Sequence, residues 1–106
     1  MSANIEALER LIERGQDSAM LRLTLGTAMQ EKGDTEAALT HLRRALDLDP
    51  EYSAAWKALG HVYREAGHVG EAKETWEHGL TVAEAKGDMQ VVRELQVYLR
   101  KLDKEG

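Results

Sequence analysis

Apolar residues recur along most of this chain at the three- and four-residue spacing of an amphipathic α-helix. With the capping signals between segments, the pattern predicts six helices, at residues 4–14, 19–32, 35–48, 53–66, 69–86 and 88–103. Gly33 and Gly67 follow two of these segments, at the left-handed position that commonly ends a helix. Pro50 stops another segment, because proline cannot continue a helix. The sequence therefore predicts an all-α protein.

The chain is also similar to itself at an offset of 34 residues. Leu25-Gly26 aligns with Leu59-Gly60, Gly33 with Gly67, Ala38 with Ala72, and Leu46 with Leu80. A period between about 20 and 50 residues is typical of helical-repeat proteins. We predict one domain over 1–106, with repeats at 19–52 and 53–86 and cap helices at 4–14 and 88–103.

The second copy contains a family motif. Residues 56–63, Trp-Lys-Ala-Leu-Gly-His-Val-Tyr, resemble the first helix of a tetratricopeptide repeat, and residues 72–76 resemble its second helix, with Trp in place of the usual Phe. The first copy departs from the motif at Arg22 but keeps the closing Pro50. The resemblance covers residues 19–86. It implies a right-handed superhelical α-solenoid, like a small stand-alone bacterial member of the family, and a non-enzymatic module that binds a protein or peptide.

Composition excludes several other classes of function. The 106 residues include no cysteine, which excludes disulfides, thiolate metal sites and thiol catalysis. The chain has 14 Lys+Arg and 19 Asp+Glu, a net charge of −5, which argues against a nucleic-acid partner. No apolar run is long enough to span a bilayer and no secretory signal begins the chain, so we expect a cytoplasmic protein without a membrane partner.

No arrangement of residues predicts catalysis, a metal or a cofactor. The four histidines never occur at the i, i+4 spacing that places two metal ligands on one helix face. The three serines suit helix starts better than nucleophilic catalysis, and no glycine-rich phosphate loop is present. We therefore expect no enzyme activity, no metal and no cofactor.

The resemblance implies that the first helix of each repeat lines a concave groove. On the second repeat, Lys57, His61 and Arg64 recur at i, i+4 and i+7 and form one basic stripe. We predict that the groove binds an extended or helical peptide through a carboxylate, and that protonation of His61 near pH 6 tunes the affinity. The candidate groove residues are Met20, Leu23, Thr27, Gln30, Tyr52, Lys57, His61 and Arg64.

Other interpretations stay open. The stripe is equally consistent with a solvated face whose cations pair locally with Glu51 or Glu65. The protein is alternatively a structural or assembly subunit that docks through its convex face or terminal helices. Leu23 and Thr27 stand where chaperone-binding relatives have Lys and Asn, which argues against chaperone-tail recognition. Because both end helices have a polar outer face, we expect a monomer and a complete chain.

Overall fold

The computed structural model describes residues 4–105, which form six α-helices and no β-strand. The helices are α1 (Ile5–Glu13), α2 (Ala19–Lys32), α3 (Thr35–Leu48), α4 (Ser53–Glu65), α5 (Val69–Lys86) and α6 (Met89–Glu105). Each lies within two residues of its predicted bounds, and the prediction of an all-α protein is confirmed.

The residues fall into two compact units, within Met1–Pro50 and Glu51–Gly106. Helices α1, α2 and α3 belong to the first unit, and α4, α5 and α6 belong to the second. The boundary follows Pro50, two residues before the predicted repeat junction. The single domain and the repeat limits at 19–52 and 53–86 stay predictions.

Local capping fixes where the helices begin and end. The side chains of Ser18 and Asp34 accept hydrogen bonds from the backbone N–H groups of Leu21 and Ala37, at the starts of α2 and α3. Gly33 follows α2 with φ of 89°, a left-handed conformation that a side chain would strain. Because these signals lie within a few residues of each boundary, the sequence alone was sufficient to place the helices.

The core of the first unit lies between α2 and α3. Leu25 of α2 and Leu42 of α3 are fully buried, as are Ala38 and Ala45 of α3. Helix α1 contributes no fully buried residue, and its apolar residues Ile5, Leu8, Leu11 and Ile12 are only half-buried. Helix α1 therefore adds less hydrophobic stabilisation than α2 and α3 do.

The core of the second unit lies on both sides of α5. Trp76 of α5 is 1% exposed and packs in one cluster with Ala72, Ala83 and buried residues of α6. The apolar side of α6 packs into this core, with Val91, Val92, Leu95 and Leu102 buried and Tyr98 and Leu99 half-buried. Helix α6 thus packs into the unit as a third layer and also contacts α4.

Candidate functional site

The predicted basic stripe of α4 faces α6. Lys57 Nζ donates a hydrogen bond to Glu94 Oε1 at 3.0 Å, and Arg64 pairs with Glu105. Both carboxylates come from α6. Two of the three stripe residues are therefore already paired within the second unit, an arrangement that the sequence did not predict.

His61 lies between these two cations on α4 and contacts two aromatic rings. Its ring centroid is 5.2 Å from that of Trp76 and 4.7 Å from that of Tyr98, both in edge-to-face geometry. Burial lowers the pKa of His61 below its usual value, and the positive charge of Lys57 acts in the same direction. His61 is therefore neutral near pH 7, and the effect of its protonation on affinity stays a prediction.

A cavity of about 170 Å³ opens beside His61. It is lined by His61 and Arg64 from α4, Trp76 from α5, and Tyr98 and Lys101 from α6. Three aromatic rings form its walls and two cations flank it. At about 30 Å³ per water molecule, the volume is sufficient for one acidic side chain or a terminal carboxylate.

The two cations at this cavity differ in their partners. Arg64 pairs with Glu105, whereas no carboxylate of residues 4–105 lies within ion-pair distance of Lys101. An anion entering the cavity therefore meets one available cation and one that already has a partner. A guanidinium binds carboxylates in a two-pronged geometry, and an ammonium acts as a point charge.

Tyr98 and Lys101 are not among the residues predicted from the sequence, because α6 was expected only to cap the repeats. Tyr98 packs against the core on the apolar side of α6, whereas Lys101 is exposed. The two residues are three apart, so they are neighbours on the helix surface at the border of the two sides. That spacing was the available signal, but it does not reveal which helix lies opposite.

The remaining candidate residues lie elsewhere. Lys57 is one turn before His61 and does not line the cavity, and Tyr52 is half-buried just before α4. The other four candidates belong to the first unit. There Met20 is 69% exposed and Thr27 is exposed, whereas Leu23 and Gln30 are half-buried. A groove formed jointly by all eight residues stays a prediction.

The first unit has a polar cluster of its own. Asp17 accepts hydrogen bonds from Arg22 at 2.8 and 3.0 Å and from Arg44 at 3.4 Å. Arg22 Nη1 also lies 3.0 Å from His41 Nδ1. The hydrogen bonds from Arg22 hold the pKa of Asp17 below its usual value, and burial lowers the pKa of His41. Arg22 stands where the repeat motif has Trp, so polar contacts replace the usual apolar packing there.

The part of the chain that the structure describes lacks both a metal-ligand cluster and a membrane-spanning helix. Residues 4–105 contain no cluster of three metal-ligating side chains. Within the same range, every helix is too short or too polar to cross a lipid bilayer.

The family model of the tetratricopeptide repeat matches residues 28–82 of this chain. The chain belongs to the tetratricopeptide repeat family. It is 45% identical over 100 residues to a TPR repeat-containing protein of Pseudomonas aeruginosa, which covers 94% of this chain and 95% of that protein. The family identified from residues 56–63 and 72–76 is thus confirmed.

Two solved structures are similar over nearly the whole chain. A protein from Bordetella parapertussis is 48% identical with a TM-score of 0.86, covering 99% of this chain and 91% of that one. The TPR2B domain of yeast Sti1, solved in complex with pHsp70, has a TM-score of 0.87 at 17% identity, covering 96% of this chain and 82% of that one. The second similarity concerns the fold alone. Tetratricopeptide repeat proteins in general mediate protein–protein interactions and are not an enzyme family.

Proposed function

We propose that this protein is a non-enzymatic interaction module whose second unit binds an acidic segment of a partner protein. A carboxylate of that segment enters the cavity between α4 and α6. The observation that supports the proposal is the composition of this cavity, with Arg64 and Lys101 beside the rings of His61 and Tyr98.

The chemistry of the cavity favours a carboxylate over a neutral group. Hydrogen bonds from Lys101 and Arg64 to a charged acceptor each contribute about 1.5–3 kcal/mol. Neutral His61 supplies a ring face and one N–H without adding a third charge. An acidic partner is compatible with the net charge of −5, because salt screens charges beyond about 8–10 Å and the local cations then dominate.

A structure with the same fold offers a precedent for a partner. The Sti1 domain was solved with pHsp70 bound. The present chain has Leu23 and Thr27 at two positions where chaperone-binding relatives have Lys and Asn. We therefore propose an acidic segment as the ligand and not specifically a chaperone tail.

Docking through the terminal helices is the second candidate. Met89 and Val97 of α6 are 50% and 37% exposed, although both are large and apolar. Exposed apolar residues on a terminal helix suit a contact with another protein. In this case the partner would contact α6 outside the cavity and would not require an acidic group.

Peptide titration separates the two candidates. The probe is a fluorescein-labelled octapeptide rich in glutamate, and its matched control has glutamine at every glutamate. We expect Lys101→Gln to weaken binding of the acidic peptide about tenfold, as the loss of one charge-assisted hydrogen bond predicts. Lys104→Gln removes the same charge from α6 outside the cavity and should have little effect.

Three results would argue against the cavity. They are equal binding of the two peptides, equal effects of the two lysine substitutions, and no binding of either peptide. The docking candidate is favoured if capture of a natural partner is lost in Met89→Ser and Val97→Ser but survives in Lys101→Gln.

A further inference from the structure

The two carboxylates that α6 directs at α4 are held very differently. Glu94 is half-buried, and its neighbour Leu95 is fully buried, so its pair with Lys57 sits on a fixed part of the helix. Glu105 lies after Leu102, the last buried residue of α6. Asp103, Lys104 and Glu105 are all exposed. The last turn can therefore move without exposing the core.

Arg64 links this exposed turn to the cavity. Arg64 lines the cavity, and its guanidinium pairs with Glu105, whose side chain is 50% exposed. A carboxylate from a ligand and the carboxylate of Glu105 would thus compete for the donors of one side chain. Lys101, the other cation, has no such competitor among residues 4–105.

We propose that Glu105 is an internal competitor that gates the cavity: its carboxylate occupies Arg64 in the free protein and is displaced when an acidic partner binds. The inference rests on the proposed function, since it concerns the regulation of the same cavity. Displacement requires a group that replaces the lost negative charge. A neutral segment cannot do this, so only an acidic segment takes Arg64 from Glu105.

The strength of the pair is suited to such competition. Ion pairs between half-exposed side chains are weak, because water screens both charges and the side chains lose rotamer freedom on pairing. A pair of this strength lowers the affinity of a competing carboxylate by only about two- to fivefold. Glu105 thus lowers the affinity for an acidic ligand without preventing its binding.

The test is a titration of the same glutamate-rich octapeptide against full-length variants. Glu105→Gln removes the competitor, and we expect it to tighten binding about two- to fivefold. Asp103→Asn is the matched control, because it removes the same charge from the same exposed turn. Asp103 pairs with Lys73 of α5 at 3.7 Å, and neither residue lines the cavity. We expect Asp103→Asn to bind like the parent protein.

A double substitution tests whether the effect passes through Arg64. In an Arg64→Gln background, Glu105→Gln should no longer tighten binding, because the cation for which the two carboxylates compete is gone. A retained gain in this background would overturn the gate. Circular dichroism of each variant checks that the helices are intact.

The outcomes distinguish this inference from the proposed function. If Lys101→Gln weakens binding but Glu105→Gln leaves it unchanged, the cavity binds acidic segments and Glu105 is not a gate. If Glu105→Gln and Asp103→Asn tighten binding equally, the cause is net charge, which also overturns the gate. If no variant binds the acidic peptide, the proposed function fails and the gate fails with it.

Discussion

Gly60 of α4 lies against the indole ring of Trp76 in α5, so close that a Cβ atom at residue 60 would overlap the ring. The indole is buried at this position, and its Nε1–H donates a hydrogen bond to the carbonyl of Lys57 at 3.1 Å. The same ring forms one wall of the cavity beside His61. A glycine inside a helix, unfavourable by itself, thus permits the packing that positions the candidate site.

Substitution of Gly60 should therefore destabilise the protein. We expect Gly60→Ala to lower the free energy of unfolding by about 1–3 kcal/mol, because the added Cβ atom would force the buried indole of Trp76 to shift. Gly70→Ala is the control, since no atom lies within 4 Å of its added Cβ, and alanine favours a helix by up to about 1 kcal/mol. Urea denaturation measures both. Equal stability of the two variants would contradict the close packing.

The ion pair between Asp17 and Arg22 should contribute more to stability than the pair between Asp103 and Lys73. Asp17 accepts two hydrogen bonds from Arg22, whose side chain is 15% exposed, whereas Asp103 lies 3.7 Å from an exposed lysine. We expect Asp17→Ala to cost about 1–3 kcal/mol. Asp103→Ala should change stability by less than about 1 kcal/mol. Similar losses in thermal or urea unfolding would contradict this difference.

His41 and His61 should make the folded protein less stable in mild acid. Burial lowers the pKa of both His41 and His61 in the folded state, so the unfolded chain binds protons more readily. Their contribution is complete above the unfolded pKa of about 6.5 and decreases as the pH falls below it. We expect urea unfolding midpoints to fall between pH 8 and pH 5.

Single substitutions assign this pH dependence. In His41→Gln and in His61→Gln the urea midpoint should fall less between pH 8 and pH 5 than in the parent protein. Each substitution removes one histidine whose pKa is lower in the folded state than in the unfolded chain. A midpoint that rises toward pH 5, or a parent slope retained in both variants, would contradict the assignment.

Two serines at helix starts should respond in opposite directions to alanine. Ser53 is 2% exposed, and its hydroxyl has no hydrogen-bond partner among residues 4–105. Ser53→Ala should raise the free energy of unfolding by about 1 kcal/mol, because it removes an unsatisfied buried group. The hydroxyl of Ser18 accepts the backbone N–H of Leu21, so Ser18→Ala should cost about 0.5–2 kcal/mol. Chemical denaturation measures both changes in the free energy of unfolding. A lower free energy of unfolding in Ser53→Ala would contradict the prediction, because it would mean that the hydroxyl makes a stabilising hydrogen bond.

The sequence determined the helices, their ends and the family. These features depend on local signals, namely apolar residues that recur every three or four positions, caps such as Asp34, and glycines such as Gly33. The repeat at 34 residues and the motif at residues 56–63 then identified the family without any coordinates. The stripe of Lys57, His61 and Arg64 also followed from helical spacing alone.

The tertiary structure decided what that stripe faces. Glu94 and Glu105 are 37 and 41 residues away from the cations that they contact, and Tyr98 is equally remote from His61. Helical periodicity places residues on a face of their own helix, but it does not state which helix lies opposite. The packing of α5 against both α4 and α6 brings these residues together, and burial there lowers the pKa of His61. Charge pairing and desolvation depend on three-dimensional distance, so they emerged only from the fold.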